Sequence, residues 1–363
     1  MPDKILILAN NSGGLCAFRL ELIQKLGQKY KIVASTPFDT QTDELVSSGC
    51  RLIRTEFDSR SMNPVKDIKL LYRYLKILKK VKPVYVITYT IKPNIYGSLA
   101  CRFLKIPYAV NITGLGSAFE GRLKRLVFCM YRIALKRAKA VLFENSENRA
   151  LFINNKILKA DKTYLLHGAG VNLDQFTPAP YPEEDQVFKF LFMGRIMEEK
   201  GVDELFAAMV RLRSEGVNCI LDILGEYYEE DYRRKVKDAE KEGWLHFHGY
   251  RIDVRPYIKE CHCFVLPSWH EGMANTNLEC AASGRPVITS NIAGCREAVI
   301  DGVSGFLCDV KNTESLYKAM KKMIALSTED REKMGLAGRE HMQNVFDKRK
   351  VVDETVKAFG LTM

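Results

Sequence analysis

The two halves of the sequence both alternate short apolar runs with longer segments of helical periodicity, and this alternation constrains the fold more than any other feature. Short apolar or β-branched runs predict strands, and apolar residues recurring every three to four positions predict helices. Strands are predicted at 4–9, 31–35, 84–88, 108–112, 189–193, 219–224, 245–247, 263–267 and 286–290. Helices are predicted, among others, at 18–27, 64–80 and 122–139. The pattern favours an α/β protein with two doubly wound, parallel-sheet domains that face one another across a ligand cleft.

A segment rich in proline and charge separates the two halves. Residues 176–188 carry prolines and acidic residues at a density that neither a helix nor a central strand tolerates. The sequence therefore predicts a first domain over 1–179 and a second over 180–344. A final helix over 345–363 is expected to pack back toward the first domain.

The net charge of +11 over 363 residues is divided unevenly. Residues 1–180 contain 29 Lys and Arg against 13 Asp and Glu, a balance of +16, whereas the remainder has a balance of −5. Residues 51–150 alone have a balance of +15. Halves of opposite sign indicate domains with different partners.

Several classes of protein are disfavoured by the sequence. No run of roughly 18 apolar residues predicts a transmembrane helix, and the first apolar run is too short for a signal peptide. A cytoplasmic protein with ten reduced cysteines is expected. Cys261, His262 and Cys263 do not predict a metal site, because no second pair of ligands follows them.

Adjacent glycines, Gly13 and Gly14, follow the first predicted strand. Glycines let backbone amides approach an anion at a helix N-terminus, but a plain tight turn requires the same residues. Neither the G-x-G-x-x-G fingerprint of dinucleotide-binding proteins nor the P-loop motif occurs. These absences disfavour NAD-dependent enzymes and P-loop NTPases.

Two carboxylates flank the start of a predicted helix in the second half. Glu271 lies in the loop after the strand at 263–267, and Glu279 lies one helical turn into the helix that begins near Asn275. Free amides and the positive end of the helix dipole suit a sugar diphosphate, and the carboxylates suit sugar hydroxyls. An exposed loop acid and an exposed helix acid would give the same spacing.

A second group follows the strand at 189–193. Gly194 ends the strand, and Arg195 and Lys200 supply the positive charge that a leaving diphosphate requires. With this group the sequence resembles the retaining glycosyltransferases of family 4, which have the GT-B fold of two Rossmann-like domains. The resemblance spans nearly the whole chain and is specific in order and spacing; its motifs lie at 13–14, 168–176, 194–201, 224–226, 247–250, 271–279, 291–297 and 302–307.

The resemblance implies a role for each matching residue. The family's donor is a nucleotide sugar, with Arg195 and Lys200 on its diphosphate, Glu271 on the hexose and Glu279 on the ribose. Further residues expected near the donor are Gly13, Gly14, Gly194, Tyr250, Arg251, Gly272, Met273, Ala274 and Asn275. Lys200 would equally suit a solvated helix start, and Tyr250 would equally pack under its own loop.

A divalent metal ion is not expected. Enzymes that bind a sugar nucleotide through such an ion need two closely spaced carboxylates, and no Asp-x-Asp motif occurs. The acidic run Glu183, Glu184 and Asp185 lies in the linker. Arg195, Lys200 and helix amides would then neutralise the leaving group.

One position departs from the family. Many relatives carry a histidine after a strand of the first domain, where this sequence has Thr113. A hydroxyl can hydrogen-bond a sugar but cannot act as a general base near neutral pH. This fits the mechanism thought to operate in the family, in which the departing phosphate assists the acceptor on the same face.

The segments 88–97, 113–116 and 143–145 resemble a subgroup that builds bacterial surface polysaccharides on polyprenyl-diphosphate carriers, including N-acetylgalactosaminyltransferases. The resemblance implies a UDP-linked hexose or N-acetylhexosamine as donor and a lipid-linked saccharide as acceptor. Thr90 and Lys92 are candidates for contacts with either substrate. A strand-to-helix turn would account for both residues equally well.

Basic side chains recur at helical spacing in the first half. Lys66, Lys69, Arg73, Lys76 and Lys80 form one stripe, and a second stripe begins at Arg125. An anionic membrane contributes about 1 kcal/mol per nearby basic residue, so we expect peripheral association with the inner face of the plasma membrane. Such stripes also serve simply as solvated surface.

Three alternatives account for parts of the pattern. Nucleic-acid binding would explain the charge, but no reading motif or aromatic stacking strand accompanies it. A sugar-nucleotide 2-epimerase would share the two-domain architecture, but its usual acidic and histidine site residues are not apparent. A non-catalytic sugar-nucleotide-binding module is the third.

Overall fold

A computed structural model describes residues 2–38, 41–58, 63–115, 124–183 and 187–362. The chain forms two compact units, one comprising Met1–Gly170 with Lys348–Met363 and the other Val171–Asp347. Residues 116–119 of the segment after Thr113 lie outside the described residues, as do Arg122, Glu184 and Asp185. Among the described residues, no helix is both long and apolar enough to cross a bilayer.

The first unit contains a seven-stranded parallel sheet in the order β3-β2-β1-β4-β5-β6-β7. Its strands are β1 (Lys4–Leu8), β2 (Lys31–Thr36), β3 (Arg51–Arg54), β4 (Tyr85–Tyr89), β5 (Tyr108–Ile112), β6 (Ala140–Phe143) and β7 (Thr163–Leu165). Its helices are α1 (Ser12–Gly27), α2 (Thr42–Ser47), α3 (Pro64–Val81), α4 (Ser98–Leu104), α5 (Lys124–Leu135) and α6 (Ser146–Asn154). A single π-helical turn, Pro93–Gly97, precedes α4.

The second unit contains a six-stranded parallel sheet in the order β10-β9-β8-β11-β12-β13. Its strands are β8 (Phe188–Met193), β9 (Cys219–Leu224), β10 (Leu245–Gly249), β11 (Cys263–Leu266), β12 (Val287–Ser290) and β13 (Gly305–Cys308). Its helices are α7 (Val202–Ser214), α8 (Tyr232–Lys241), α9 (Arg255–Glu260), α10 (Asn275–Ala282), α11 (Thr313–Ala325) and α12 (Thr328–Val345). The expectation of two Rossmann-like parallel-sheet domains is confirmed.

The last helix, α13 (Lys348–Phe359), belongs to the first unit. Val352, Val356 and Phe359 are buried in the same apolar cluster as β1. The Tyr85 hydroxyl donates to the Phe359 carbonyl at 3.0 Å, and Lys348 Nζ lies 3.3 Å from Glu21 Oε2. The chain therefore completes the first unit only after it has built the second.

Both sheets have a switch point, where the strand order reverses direction. It lies between β1 and β4 in the first unit and between β8 and β11 in the second. Loops leaving the carboxyl ends of two such strands diverge to opposite faces, which leaves a crevice for a ligand. The four strands at the switch points are almost wholly buried, so the loops at their carboxyl ends are the part most accessible to a ligand.

Candidate functional site

The loops after β8 and β11 meet at the switch point of the second sheet. Gly194 and Arg195 follow β8, and a 3-10 turn, Glu198–Lys200, ends the same loop. Glu271 lies in the loop after β11. These two strands are hydrogen-bonded neighbours, with Cys263 opposite Phe190. The sheet thus brings together two groups that are about 70 positions apart in the sequence.

Lys200 and Glu271 form an ion pair at this point. The two side chains are only 15% and 13% exposed, so solvent screens their attraction much less than it would on an open surface. The pair places a donor cation beside an acceptor carboxylate. Such an arrangement can hold a phosphate oxygen on one side and a sugar hydroxyl on the other.

The two loops are fastened to each other by further contacts. The Trp269 backbone amide donates to the Glu199 carbonyl at 2.8 Å, and its indole Nε1 donates to Glu204 Oε1 at 3.1 Å. Gly201 has a positive φ of 70°, and a Cβ there would overlap the Pro267 carbonyl. A residue without a side chain is therefore required for Lys200 to approach Glu271.

Arg195 is exposed, and its guanidinium carbon lies 4.7 Å from the centre of the Tyr228 ring. The backbone beneath it is fixed by Gly194, whose amide donates to the Leu224 carbonyl at 3.0 Å. Contact with an aromatic face orients a guanidinium while leaving its donors available to an anion. Arg195 is thus positioned as a second cation at the carboxyl end of β8.

The segment from Gly272 to Asn275 leads into α10. The Ala274 amide donates to the Gly294 carbonyl at 2.7 Å, and Met273 and Ala274 are buried. Among the described residues, the buried Asn275 Oδ1 has no hydrogen-bond partner, although its Nδ2 donates to the Met273 carbonyl at 3.4 Å. Glu279 is partly buried in the first turns of α10. An orphaned amide oxygen here fits a sugar hydroxyl.

Tyr250 and Arg251 follow β10, which is separated from β8 by β9. Tyr250 is 51% exposed, and Arg251 Nε donates to the Tyr257 hydroxyl at 2.9 Å. An exposed aromatic ring at the edge of the site suits stacking on a base. The interpretation that Tyr250 packs under its own loop does not agree with its exposure.

In the first unit, Gly13 and Gly14 lie inside the first turn of α1, which begins at Ser12. The sequence suggested that they precede the helix. Asn11 caps α1 and accepts a hydrogen bond from the Gly14 amide, while a Cβ at Gly14 would overlap the Asn11 side chain. The Gly14 amide is therefore already used by the cap.

Thr90 follows β4 with a φ of 68°, a left-handed conformation that a β-branched residue rarely adopts. Its hydroxyl is buried, and no partner lies within hydrogen-bonding distance in the described part of the chain. Backbone strain and a buried unpaired hydroxyl are both unfavourable, and both persist where function requires them. Thr90 is therefore the strongest of the first-unit candidates.

Lys92 is buried and paired with Asp67 of α3, with Nζ 2.6 Å from Oδ1. The Tyr96 hydroxyl donates to the other carboxylate oxygen at 2.9 Å. Burial and the neighbouring Asp67 raise the pKa of the Tyr96 hydroxyl, so it remains a proton donor at neutral pH. Lys92, Asp67 and Tyr96 act as one polar unit beside Thr90.

Thr113 follows β5 and is partly buried. Two strand ends nearby carry groups that sequence reasoning missed. In the described structure neither amide atom of Asn111 has a hydrogen-bond partner, nor does the Tyr89 hydroxyl. Asn111 and Tyr89 were not predicted as candidates, because the sequence does not show whether a polar atom on a buried strand has a hydrogen-bond partner.

A buried ion pair joins Arg19 of α1 to Glu144 after β6. Burial raises the pKa of the Glu144 carboxyl, and the Arg19 guanidinium opposes that shift. Arg19 also lies 5.0 Å from the centre of the Tyr89 ring. Glu144 falls within the motif at 143–145, but nothing in the sequence pointed to Arg19.

We expect Thr90→Gly to stabilise the protein by about 1 kcal/mol, because glycine removes the strained φ and the buried hydroxyl. The same substitution should impair the activity of this site, whereas Thr90→Ser, which keeps the hydroxyl, should retain that activity. Urea unfolding and initial rates on the two variants check this. A Thr90→Gly variant with full activity would remove Thr90 from the site.

Two doubly wound parallel-sheet units in one chain are the architecture of the GT-B class of fold, and the cation–carboxylate pair lies at the switch point of the second. Residues 175–341 match the family model for glycosyl transferases group 1, and residues 4–145 match the glycosyl transferase 4-like family. Together these matches span both units, and the chain belongs to the glycosyltransferases of these families.

Named relatives agree with this assignment. The chain is 28% identical over 88% of its length to an N,N'-diacetylbacillosaminyl-diphospho-undecaprenol α-1,3-N-acetylgalactosaminyltransferase of Campylobacter jejuni, covering 89% of that protein. It is 28% identical over 73% of its length to an Escherichia coli UDP-Gal:α-D-GlcNAc-diphosphoundecaprenol α-1,3-galactosyltransferase, covering 72% of that protein. Among solved structures, Anabaena HepE in complex with UDP and glucose superposes with a TM-score of 0.81, at 16% identity and 99% coverage of both chains.

Proposed function

We propose that this glycosyltransferase transfers a hexose or N-acetylhexosamine from a UDP-sugar to a lipid-linked saccharide, with retention of anomeric configuration and without a metal ion. The ion pair between Lys200 and Glu271 at the second switch point carries the proposal. A mostly buried cation in contact with a carboxylate matches the two ends of a sugar diphosphate. The cation suits the anionic leaving group, and the carboxylate suits the sugar hydroxyls.

When the donor binds, Lys200 and Glu271 would contact different parts of it. Lys200 and Arg195 bind the diphosphate, and Glu271 accepts hydrogen bonds from the hexose hydroxyls. Glu279 and Asn275 lie along the same α10 start, where they bind ribose or hexose hydroxyls. Tyr250 and Arg251 contact the base. The amides of Gly272–Asn275 complete the anion-binding surface.

The chemistry needs no protein nucleophile. The bond between the anomeric carbon and the diphosphate oxygen breaks, and Arg195 and Lys200 stabilise the charge that develops on the leaving diphosphate. A leaving-group oxygen takes the proton of the acceptor hydroxyl, whose oxygen bonds to the anomeric carbon on the same face. Thr113 is suited to hydrogen-bond a sugar and not to remove this proton.

A lipid-linked acceptor is supported by two relatives whose names specify undecaprenyl-diphosphate-linked substrates. The first unit carries the excess positive charge, and the exposed basic side chains of α3 and α5 suit an anionic bilayer at the inner face of the plasma membrane. The Thr90, Lys92 and Thr113 loops are the proposed contacts for the acceptor saccharide or the transferred sugar.

A donor screen tests the proposal. Purified protein is incubated with UDP-linked glucose, galactose, N-acetylglucosamine or N-acetylgalactosamine and an undecaprenyl-diphosphate-linked saccharide, with and without EDTA. We expect UDP release with one donor at a rate that EDTA leaves unchanged, and an α-linked product by NMR. A β-linked product would overturn retention, and complete loss of activity in EDTA would overturn metal independence.

A further inference from the structure

A cavity of about 280 Å³ lies in the first unit between α3 and the amino-terminal ends of β1, β2 and β3. Four apolar side chains, Val33, Ile53, Ile77 and Val81, line it. Val33, Ile77 and Val81 are almost fully buried, and Ile53 is partly exposed. These walls offer hydrocarbon contact to whatever enters and no hydrogen bonds.

Four cations, Lys4, Arg51, Lys76 and Lys80, line the same cavity. Within the described part of the chain, the lining side chains include no carboxylate. Lys4 Nζ donates to the Val81 carbonyl at 3.3 Å, which leaves two of its three donors for an anion. Like charges gathered around an apolar cavity repel one another, and an anionic ligand relieves that repulsion.

The outer face of α3 beside the cavity gives an independent observation. Val65, Ile68 and Tyr72, spaced at helical intervals of three and four, are 62%, 66% and 60% exposed. Exposed apolar residues between lysines are typical of a helix that lies in a membrane interface. Lys76 also lies 4.7 Å from the centre of the Tyr72 ring, so the apolar stripe and the cationic cavity are contiguous.

We propose that this cavity binds an anionic phospholipid of the membrane. One alkyl chain would contact Val33, Ile53, Ile77 and Val81, and the phosphate would bind among Lys4, Arg51, Lys76 and Lys80. The proposal rests on the proposed function only for the membrane at which the protein acts. It adds a specific lipid site to a surface otherwise described by charge alone.

The lipid-linked acceptor would share this chemistry, but the position of the cavity disfavours it. Lys4 and Arg51 begin their strands, whereas Thr90, Lys92 and Thr113 follow the carboxyl ends of β4 and β5. Five strand residues separate the two ends by roughly 16 Å. The acceptor diphosphate must adjoin its saccharide, so it belongs at the opposite end of the sheet from this cavity.

Lipid binding is measured with three probes on the full chain: vesicles of 30% phosphatidylglycerol in phosphatidylcholine, monomeric dihexanoyl-phosphatidylglycerol, and glycerol 3-phosphate. We expect binding to the first two and none to the third. K76E/K80E should weaken binding to the vesicles by roughly 30-fold or more, because each basic residue contributes about fivefold. Binding of glycerol 3-phosphate as tight as that of the short lipid would overturn the lipid assignment.

K79E/K82E is the matched control. Both lysines are exposed on the same stretch of chain, neither lines the cavity, and the charge change is identical. Equal loss of binding in this variant would show that diffuse surface charge, and not the cavity, binds the lipid. Ile53→Trp fills the apolar floor without altering charge, and it should abolish binding of the short lipid while the thermal unfolding curve remains cooperative. Retained binding would contradict the proposal.

Glycosyl transfer is measured in parallel to separate this inference from the proposed function. Transfer to a lipid-linked acceptor with no phosphatidylglycerol binding would reject the cavity alone. Phosphatidylglycerol binding with no transfer from any donor would reject the proposed function alone.

Discussion

Glu271→Gln is expected to lower kcat/KM for glycosyl transfer by about 100-fold or more, because the loss of a charged hydrogen-bonding group at the reacting centre has effects of this size. Gln keeps the side-chain volume and one acceptor oxygen, but it is neutral and cannot form an ion pair with the Lys200 ammonium. The free energy of unfolding should change by no more than about 2 kcal/mol, because the pair is not fully desolvated.

Glu198→Gln is the control, since Glu198 is an exposed carboxylate in the same 3-10 turn as Lys200. It should leave kcat/KM unchanged. Lys200 and Glu271 act as a pair, so their substitutions should not add. The kcat/KM of the double variant, Lys200→Met with Glu271→Gln, should be no lower than that of the slower single variant. Full activity of Glu271→Gln would remove the carboxylate from the site.

Gly225→Ala is expected to destabilise the second unit by about 3 kcal/mol or more and to abolish donor binding. Gly225 has a φ of 152°, and a Cβ there would overlap the Gly194 carbonyl oxygen. Strain and overlap with backbone each cost about 1–3 kcal/mol, and neither can relax without moving the strand end that carries Arg195.

Gly216→Ala is the matched control. Gly216 has a φ of 83°, but no atom lies within 4 Å of its Cβ position, so only the strained conformation remains. It should cost about 1 kcal/mol and leave donor affinity unchanged. Trp244 and Trp269 both lie in the second unit, so tryptophan fluorescence during urea unfolding reports on that unit. Equal stability of the two variants would contradict the proposed close approach of the two strand ends.

Nine of the strands that the structure describes were predicted from their apolar or β-branched runs, and four were not. The runs at 189–193 and 219–224 match β8 and β9 almost to the residue. β3, β6, β7 and β13 have three or four residues each and were missed, although β11 and β12 are as short and were predicted at 263–267 and 286–290. β3 is also hard to predict because it begins and ends with an exposed arginine, Arg51 and Arg54.

The candidate site could be assembled in part from motifs. Strand–glycine–cation and strand–loop–carboxylate patterns identified Arg195, Lys200 and Glu271 one by one. Their pairing depends on β8 lying next to β11, which is a property of strand order and not of local sequence. Lys92 illustrates the same point, because its partner Asp67 lies on α3 and was identified only in the structure.

A crystal structure with a bound, non-hydrolysable UDP-sugar tests the central claim most directly. We expect the diphosphate within hydrogen-bonding distance of Arg195 and Lys200, the hexose hydroxyls on Glu271, and no metal ion between the phosphates. Lys200 should turn from Glu271 toward the phosphate. A diphosphate bound elsewhere in the second unit, with Lys200 and Glu271 still paired to each other, would contradict it.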